Sequence, residues 1–459
     1  MTHDTPRLET TAIPGLLMIH LDVRADNRGW FKENWQRATM VGLGLPDFGP
    51  VQNNMSFNAT RGTTRGIHAE PWDKLVSSAQ GRFFGVWVDL RPGPGFGRLV
   101  TAEIDESIAV FVPSGVGNGY QALTDAATYS YLVNDHWSPA AIERYAYVNL
   151  ADPTLAIAWP IPLDQAEISD KDRAHPRLGD ARPVTGPRTL VLGAKGQLGR
   201  ALMALFPDAT GVDIDSLNLA DPAQVAQFGW RDYGVIINAA AWTDVDGAET
   251  DAGRPQAWQA NATVPATLAR IALNQGARLV HISSDYVFDG SRGPWRETDA
   301  FAPLSVYGQS KAAGDLVVGL VPRHYLIRTS WVVGDGKNFV GIMGDLADRG
   351  VRPTVVNDQI GRLTHTTNLA AAIKHLLDVD APFGTYNCTD GGPAVSWADI
   401  AQAVFVAHGR PADDVSPVST EQYYAGKDHI APRPHHSLLD LTKLEATGYT
   451  VPVYPLGVV

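Results

Sequence analysis

Two different patterns of apolar and polar positions divide the chain near residue 180. Between about residues 75 and 160, short runs rich in Val, Phe, Tyr and Trp are separated by Gly, Pro, Asn and Asp; examples are DKLVSSAQGRFFGVWVDLR, RLVTAEI, SIAVFVPSG and TYSYLVND. No segment of helix length separates them. This spacing is typical of antiparallel strands in a sandwich or barrel. Residues 1–180 are therefore predicted to form an all-β domain.

After residue 188, short apolar runs alternate with amphipathic segments of helix length. The predicted strands are TLVLG, GVIINAAA, ARLVHISSD and YLIRTSW, and VPATLARIALNQGA is typical of the helical segments. This alternation predicts a parallel, doubly wound sheet with helical crossovers. Residues 181–187, within PRLGDARPVTGPR, follow neither pattern and are predicted to be a linker. The second domain then covers residues 188–459.

The composition of the chain limits which partners it is expected to bind and in which compartment it is expected to occur. A chain of 459 residues is long enough for two domains, and 44% hydrophobic with 19% charged residues is typical of globular proteins. The formal net charge of −12 argues against binding to nucleic acid or anionic membranes. The single cysteine, Cys388, has no partner for a disulfide or a zinc knuckle. Without a leader-like or membrane-crossing run, the expectation is a cytoplasmic protein with no metal site.

A glycine-rich turn follows the first predicted strand of the second domain. In GAKGQLGRAL, Gly193, Gly196 and Gly199 open a helix. Glycines there let the backbone turn tightly and approach a pyrophosphate at the helix N-terminus. Three such glycines also occur in ordinary turns, but these directly follow a strand, as a dinucleotide site requires. Asp213, at the end of the next strand, is either a ligand of an adenosine ribose or a solvated loop acid.

The segment VYGQSK places Tyr307 and Lys311 one helical turn apart. A phenol is a poor acid at neutral pH unless a neighbouring cation stabilises its anion, which the lysine would do. The Ser284 hydroxyl, about twenty residues earlier, would complete the set by binding a substrate carbonyl. An exposed Tyr and Lys at this spacing are common. Their occurrence after the glycine turn, NAAAWTDVD and SSDYVF favours a proton-transfer site.

The second domain resembles extended short-chain dehydrogenases/reductases, specifically the dTDP-4-dehydrorhamnose reductases. The matching motifs are GAKGQLG, NAAAWTDVDGAE, SSDYVFDG, VYGQSKAAGD, RTSWVVG, NDQIGR and RPHHSLLD. The resemblance implies that Tyr307 donates a proton and that Lys311 lowers its pKa and holds the nicotinamide ribose. It also implies that Ser284 assists and that Asp285 and Trp331 contact substrate. NADPH or NADH would contact Tyr307, Lys311 and the following residues: Gly193, Gly196, Gln197, Leu198, Gly199, Asp213, Asn218, Leu219, Ala241, Trp242 and Thr243.

In the first domain, the segment NNMSFNATRGTTRGIHAEPWDKLV brings Arg65, His68 and Lys74 within ten positions. Strand side chains alternate between faces, so Arg65 and His68 share a face only if the strand is locally kinked. Gly66 permits such a kink. A lone histidine on a strand is more often a packed or surface residue, and His68 alone proves little.

The surrounding motifs DNRGWFKE, VWVDLRPGPGFG, TYSYL, DPTLAIAWP and ISDKD resemble the dTDP-4-dehydrorhamnose 3,5-epimerases, which are cupin-type jelly rolls. The resemblance, over residues 8–176, implies that His68 is the base, that Asp172 orients it and that Tyr131 donates a proton from the opposite face. It implies that Lys74 steadies the charge on the C4 ketone oxygen, and it gives these nucleotide- or sugar-contacting positions: Arg28, Glu33, Gln52, Asn54, Arg65, Lys74 and Glu143. Two positions depart from the family: Asn118 replaces a histidine and Gly85 an aspartate.

The expected function is a bifunctional synthesis of dTDP-L-rhamnose from dTDP-4-dehydro-6-deoxy-D-glucose, epimerisation preceding NAD(P)H reduction. One alternative is a reductase whose cupin is inactive, or acts at a single carbon, and serves as a binding or dimerising module. Another is a non-catalytic reductase-like regulatory subunit, and a third is a different dTDP-6-deoxyhexose as product. The resemblance also implies a homodimer formed through the first domain.

Overall fold

The computed structural model describes residues 6–136, 142, 144–185 and 188–456. The chain divides into two compact units, Met1–Pro187 and Arg188–Val459. Within the predicted linker, Ala181 and Val184 are buried in a core cluster of the first unit. The Val184 amide donates a hydrogen bond to the Leu90 carbonyl at 2.8 Å. The described part of this segment therefore packs on the first unit, because the side chains of Ala181 and Val184 are buried there.

The regular secondary structure in the described part of the first unit is mostly β-strand. Its two short helices are α1, Arg37–Gly42, and α2, Asp170–Arg173. The strands are β1 Arg7–Thr10, β2 Leu17–His20, β3 Val23–Asp26, β4 Gly29–Lys32, β5 Gln52–Asn58, β6 Thr64–Ala69, β7 Lys74–Gln80, β8 Phe83–Asp89, β9 Leu99–Ile104, β10 Ile108–Val112, β11 Val116–Ala122, β12 Ala127–Val133 and β13 Ala146–Tyr147.

These strands build two antiparallel sheets with a shared core. One sheet has the order β1-β2-β10-β7-β12-β5 and the other β13-β6-β11-β8-β9, while β3 and β4 form a separate hairpin. Alternate side chains from both sheets meet in one apolar cluster, which includes Val76, Trp87, Val110 and Tyr129. The prediction of an all-β first domain is confirmed.

The second unit alternates strands and helices. Its helices are α3 Gln197–Leu205, α4 Pro222–Gln227, α5 Gly253–Trp258, α6 Val264–Gln275, α7 Val306–Val318, α8 Phe339–Asp348, α9 Thr366–Asp378, α10 Trp397–Ala407, α11 Thr420–Tyr424 and α12 Thr442–Glu445. Its strands are β14 Arg188–Leu192, β15 Thr210–Val212, β16 Tyr233–Asn238, β17 Arg278–Ser284, β18 His324–Thr329, β19 Val332–Val333, β20 Thr354–Val356, β21 Ile360–Gly361, β22 Thr364–His365, β23 Gly384–Asn387, β24 Val395–Ser396 and β25 Ser416–Val418. None of the helices in the described ranges has the length and apolar character to cross a bilayer.

The central sheet of the second unit has the order β15-β14-β16-β17-β18-β23. Every neighbouring pair in it is parallel, which confirms the predicted parallel sheet. Two apolar clusters use alternate residues of β14, Leu190 and Leu192 in one and Val191 in the other, so the sheet is buried on both faces. Because parallel strands end at one edge, the motifs that follow β14, β16 and β17 meet there.

Candidate active sites

The glycine turn of the second unit joins β14 to α3. Gly193 has φ +77°, and a Cβ on it would lie 2.8 Å from the Ala240 amide nitrogen. A Cβ on Gly199 would lie 2.0 Å from the Gly193 carbonyl oxygen. Gly196 caps α3 without a side-chain hydrogen bond, so the first-turn amides remain available to a ligand. The turn thus has the close backbone approach and the amide donors that a pyrophosphate needs.

Tyr307, Lys311 and Ser284 come together at the carboxyl edge of the sheet. Tyr307 and Lys311 lie on the buried side of α7, while Ser284 ends β17. Lys311 Nζ donates to the Ile282 carbonyl at 2.6 Å. One turn further along α7, the buried Asp315 accepts a hydrogen bond from Arg328 Nε at 3.0 Å. Asp315 also favours the cationic form of Lys311 electrostatically.

Burial governs the proton affinities at this site. It raises the pKa of Tyr307 to about 12, and hydrogen bonding with Ser284 only partly opposes this rise. It lowers the pKa of Lys311 to about 8, against the attraction of Asp315. The net shift of the Tyr307 pKa is thus upward. Desolvation of the phenolate is the largest cause, and the Asp285 and Asp315 carboxylates add to it.

Asp285 is buried beside Ser284, which donates a hydrogen bond to its Oδ1 at 3.1 Å. Burial raises the pKa of this carboxyl to about 6, against hydrogen bonds with Ser437 and Ser284. Between pH 3.8 and 6 the native state therefore binds more protons than the unfolded state, and stability falls as the pH rises. A rise of roughly two units corresponds to about 3 kcal/mol at neutral pH.

Asp285→Asn removes this titration, so we expect its unfolding free energy relative to wild type to rise by about 3 kcal/mol between pH 4 and pH 7. The measurement is urea unfolding at both pH values, with hydrogen exchange of peptides from residues 278–318 to assign the transition to the second unit. Asp378→Asn is the control, since Asp378 is an exposed carboxylate on α9. If the unfolding free energy of Asp285→Asn differs from that of wild type by the same amount at both pH values, the pKa of Asp285 is not raised.

One cleft of 1490 Å³ collects nearly all the positions predicted for cofactor and substrate in the second unit. Gly199 does not line it; this glycine packs inside the turn against the Gly193 carbonyl. The predicted residues that do line it are Gly193, Gly196, Gln197, Leu198, Asp213, Asn218, Leu219, Ala241, Trp242, Thr243, Ser284, Asp285, Tyr307, Lys311 and Trp331.

The cleft also contains residues that the sequence analysis did not select. Trp397, on α10, stacks on Trp331 with ring centroids 3.9 Å apart. Tyr286 packs edge-on against Tyr307 at 5.5 Å. Tyr286 follows Asp285 within the SSDYVF motif, so its place in that motif was an available signal. Trp397 is distant in sequence from every motif used, and only the fold brings it to the cleft.

In the first unit, His68 forms a hydrogen-bonded pair with Asp172. His68 Nε2 lies 3.0 Å from Asp172 Oδ1, across more than a hundred residues of sequence. The Gly66 amide donates to the other oxygen of Asp172 at 3.3 Å, and the Ser169 hydroxyl caps α2 by accepting from the Asp172 amide. Asp172 is buried while His68 is part-exposed, so an anchored carboxylate orients an accessible imidazole.

The kink predicted at Gly66 is present as a β-bulge. Tyr120 of β11 pairs with Arg65 and Asn118 pairs with His68, so two residues of β6 oppose one of β11. Gly66 has φ +114°, and a Cβ there would lie 2.6 Å from the Gly119 Cα. Since Asn118 and Tyr120 point to one face of their strand, the bulge brings Arg65 and His68 to a common face.

Tyr131 and Lys74 lie on neighbouring strands β12 and β7. Lys74 is buried and forms an ion pair with Glu70, a residue that the sequence analysis did not select. Burial raises the pKa of Tyr131, and the Glu70 carboxylate adds to this effect while Arg65 opposes it. A phenol with a raised pKa keeps its proton at neutral pH, as a proton donor must.

The other residues predicted to contact the nucleotide or sugar are more dispersed. Gln52 Nε2 donates to Asn54 Oδ1 at 2.9 Å on β5, and Asn54 lies opposite Tyr131. Arg28 is exposed on the β3–β4 hairpin and is paired with Asp26 of the same hairpin. Glu33 is exposed directly after β4. Among the described residues no hydrogen bond joins Arg28 or Glu33 to the His68–Asp172 pair, and Glu143 lies outside the described residues.

The two departures from the family pattern have structural explanations. Asn118 Oδ1 accepts a hydrogen bond from the Tyr129 hydroxyl at 3.1 Å. A Cβ at Gly85 would lie 2.4 Å from the Trp87 ring, which occupies the space beside that glycine. An aspartate at position 85 would therefore require Trp87 to move.

Comparison with known proteins gives one match for each unit. Residues 10–180 match the family model described as dTDP-4-dehydrorhamnose 3,5-epimerase, and residues 187–455 match the RmlD substrate binding domain. An RmlC homolog from Streptococcus pyogenes is 49% identical over 181 residues, covering 38% of this chain and 91% of that protein. A dTDP-4-dehydrorhamnose reductase from Mycobacterium tuberculosis is 38% identical over 275 residues, covering 57% and 88%.

A solved structure also resembles the second unit. The dTDP-4-dehydrorhamnose reductase from Bacillus anthracis, crystallised in complex with NADP, superposes with a TM-score of 0.54. It is 33% identical in sequence, and the match covers 59% of this chain and 96% of that structure.

Proposed function

The chain belongs to the dTDP-4-dehydrorhamnose reductase family through its second unit and to the RmlC epimerase family through its first, and on this premise we propose that it makes dTDP-L-rhamnose in two steps. The first unit epimerises dTDP-4-dehydro-6-deoxy-D-glucose at C3 and C5. The second unit reduces the C4 ketone of the product with NADPH or NADH. The observation that carries the proposal is that one chain holds both an oriented imidazole, His68–Asp172, and a buried Tyr307–Lys311 pair.

In the first unit, His68 removes the protons next to the ketone and Tyr131 returns protons from the other face. The hydrogen bond to Asp172 fixes the ring and stabilises the imidazolium that forms. The carbanion is accessible only if its charge is delocalised onto the C4 oxygen and held there. Lys74 supplies that positive charge from a buried position, and its ion pair with Glu70 holds the ammonium in place while offsetting part of its charge.

In the second unit, Tyr307 protonates the C4 oxygen while Ser284 holds it by a hydrogen bond. The bound nicotinamide supplies the hydride. The high pKa of Tyr307 in this structure keeps the phenol protonated and ready to donate. After transfer, the Lys311 ammonium stabilises the phenolate. Asp285 and Trp331, which line the same cleft, position the sugar.

The residues around the glycine turn fit a dinucleotide. At Gly193 and Gly199 a Cβ would collide with neighbouring backbone, so only glycines permit this tight turn, and the uncapped N-terminus of α3 offers amides to the pyrophosphate. Asp213 directly follows β15 and lines the same cleft, where its carboxylate would accept hydrogen bonds from ribose hydroxyls. The cleft is thus suited to the cofactor named in the Bacillus anthracis complex.

The direct test is incubation of the full chain with dTDP-4-dehydro-6-deoxy-D-glucose and each cofactor, followed by NMR identification of the product. We expect dTDP-L-rhamnose. A 6-deoxyhexose epimerised at one carbon would identify the first unit as a single-carbon epimerase. A sugar with neither carbon inverted would indicate an inactive cupin carried by a reductase.

The order of strands in the first unit supports a jelly-roll winding. The eight strands β5 to β12 divide between the two sheets. Numbered one to eight along the chain, they have the order 1-8-3-6 in one sheet (β5-β12-β7-β10) and 2-7-4-5 in the other (β6-β11-β8-β9). This order is that of a jelly roll. The acidic chain and the lack of a bilayer-spanning helix in the described ranges are compatible with a cytoplasmic enzyme that binds neither nucleic acid nor membranes.

We further propose that the chain is a homodimer formed through the first unit. Strand β5 is the edge of its sheet and exposes Met55 and Phe57, at 67% and 61%. Trp30 and Phe31 are also exposed, on the hairpin that carries Arg28. Apolar side chains on an edge strand favour pairing with a second copy. Arg28 and Glu33 would then serve the partner's site.

Light scattering of the wild-type chain should accordingly give about twice the protomer mass of 49.4 kDa. Phe57→Glu should shift the mass to that of a monomer, because a charge cannot be buried unpaired in an interface. Leu320→Glu, at an exposed position of the second unit, is the control and should remain dimeric. A wild-type monomer with full epimerase activity would contradict the proposal.

A further inference from the structure

A second histidine, His175, stands beside the His68–Asp172 pair. It lies three residues after Asp172 and is only 8% exposed. Its Nε2 is 3.7 Å from Asp172 Oδ1, and its ring is 5.2 Å from the His68 ring. Neither ring nitrogen of His175 has a hydrogen-bond partner. Asp172 and the Gly66 backbone interact with it electrostatically. A ligand bound to one ring nitrogen would supply the polar contact that this buried imidazole lacks.

The three side chains have the composition of a transition-metal site. One donor atom from each of His68, Asp172 and His175 lies within 4.8 Å of the others. Zinc is bound at about 2.0–2.2 Å by imidazole nitrogen and carboxylate oxygen, which places tetrahedral ligands roughly 3.3 Å apart. The measured separations of 3.0 and 3.7 Å from Asp172 Oδ1 bracket that value. The donor nitrogens of His68 and His175 lie within 4.8 Å of each other, so the two rings must approach by up to about 1.5 Å to complete the geometry.

The surroundings preorganise these ligands. The Gly66 amide holds the other oxygen of Asp172 at 3.3 Å, as an outer hydrogen bond does for a metal-bound carboxylate. The His175 ring is fixed by stacking on Tyr147 at a centroid distance of 4.7 Å. Two imidazoles and one carboxylate suit zinc, cobalt and nickel, whereas magnesium prefers oxygen ligands alone. Three protein ligands leave a fourth position for water.

We propose that His68, Asp172 and His175 bind a divalent transition-metal ion, zinc above all, and that the bound ion reversibly inhibits the first unit. Metal binding at His68 Nε2 requires the proton that Nε2 shares with Asp172 to move to Nδ1 or to solvent, and it takes the Asp172 carboxylate out of its hydrogen bond. His68 can then no longer be oriented as a base. The inhibitory consequence rests on the proposed epimerase function, while metal binding itself does not.

Titration of the tag-free, chelator-treated full chain with cobalt(II) tests binding without any enzymatic assay. We expect visible absorption typical of a four-coordinate site, saturating at one ion per chain and displaced by zinc. His175→Phe keeps an aromatic ring against Tyr147 but supplies no ligand, so its metal affinity should fall at least roughly tenfold. His20→Gln is the matched control, because His20 is also paired with a carboxylate, Glu9, in the first unit. Its metal binding should remain that of wild type.

Activity gives an independent measurement. Zinc should slow the exchange of solvent deuterium into the sugar of the wild-type chain, a chelator should restore it, and magnesium should have no effect. The exchange that His175→Phe retains should be insensitive to zinc. An inactive first unit would overturn the proposed function yet leave the cobalt spectrum as evidence for the site. Cobalt binding by His175→Phe as tight as in wild type, or no binding by wild type, would overturn the metal site.

A zinc-soaked crystal of the wild-type chain decides the question even if His175→Phe does not fold. An anomalous-difference peak between His68, Asp172 and His175 supports the proposal. A peak only at other residues, or no peak, overturns it.

Discussion

Tyr307→Phe is expected to abolish cofactor oxidation while leaving the exchange of solvent deuterium at C3 and C5 of the sugar intact. The substitution removes the proton donor of the second unit. Every residue of the first unit stays unchanged. Loss of a positioned acid reduces rates by about 10²–10⁴-fold. Because Tyr307 is buried in the cleft with Ser284, water does not easily replace its hydroxyl.

The control for this variant is Tyr325→Phe. Tyr325 is a buried residue of β18 in the same unit, and its hydroxyl donates a hydrogen bond to the Ala381 carbonyl at 2.6 Å. Removing that hydroxyl therefore costs a similar buried hydrogen bond away from the residues that line the cleft. Spectrophotometric oxidation of NADPH and NMR detection of deuterium give the two rates. Near-normal reduction by Tyr307→Phe would remove Tyr307 from its role as proton donor.

His68→Asn is expected to block cofactor oxidation from dTDP-4-dehydro-6-deoxy-D-glucose, although every residue of the reductase cleft is intact. Asparagine offers no base, and its amide is too short to reach the position of His68 Nε2 beside Asp172, so deuterium exchange should fall by about 10²–10⁴-fold. Reduction should stop as well if the cleft accepts the epimerised ketone and rejects its precursor. A misplaced hydroxyl leaves buried polar groups without partners, which is a strong basis for discrimination.

Mixing the two full-length variants provides the decisive control. The His68→Asn chain retains the reductase residues and the Tyr307→Phe chain retains the epimerase residues, so together they should oxidise NADPH through a freely diffusing intermediate. His20→Asn, altered at a histidine outside the His68–Asp172 pair, should be active alone. If His68→Asn alone oxidises NADPH at the wild-type rate, epimerisation is not an obligatory first step. The first unit is then better described as a binding or dimerising module.

The fold class could be predicted from the sequence because each unit has one dominant pattern of apolar positions. The first unit has short β-rich runs, and the second alternates strands with segments of helix length. Alternate residues of β14 enter cores on opposite faces of the sheet, which is why TLVLG is continuously apolar. In the first unit the short β-rich runs predicted that strands exist. They did not predict the order of the strands in the sheets. Strand β10 pairs with β2 and β7, which precede it by far in sequence. Such pairings depend on which apolar faces fit together.

Local motifs predicted most of the cleft in the second unit for a similar reason. The glycine turn, Ser284 and Asp285 each follow a strand of a parallel sheet, and parallel strands end at one edge whatever their order. Spacing shows the lysine beside Tyr307 but not the depth of burial, and burial is the largest cause of the raised pKa of Tyr307. Trp397 was missed because its stacking on Trp331 depends on the path of the chain between them.

By itself, the sequence determined the two periods, the glycine turn and the residue types at both sites, since these depend on neighbours within a few positions. The tertiary structure alone decided where distant residues meet. Asp172 reaches His68 through a bulge at Gly66 and a carboxylate held by α2, and His175 joins them with both ring nitrogens unpartnered. The physical reason is that hydrogen bonds and burial depend on distances in space. The spacing of residues along the chain gives those distances only within a single helix or strand.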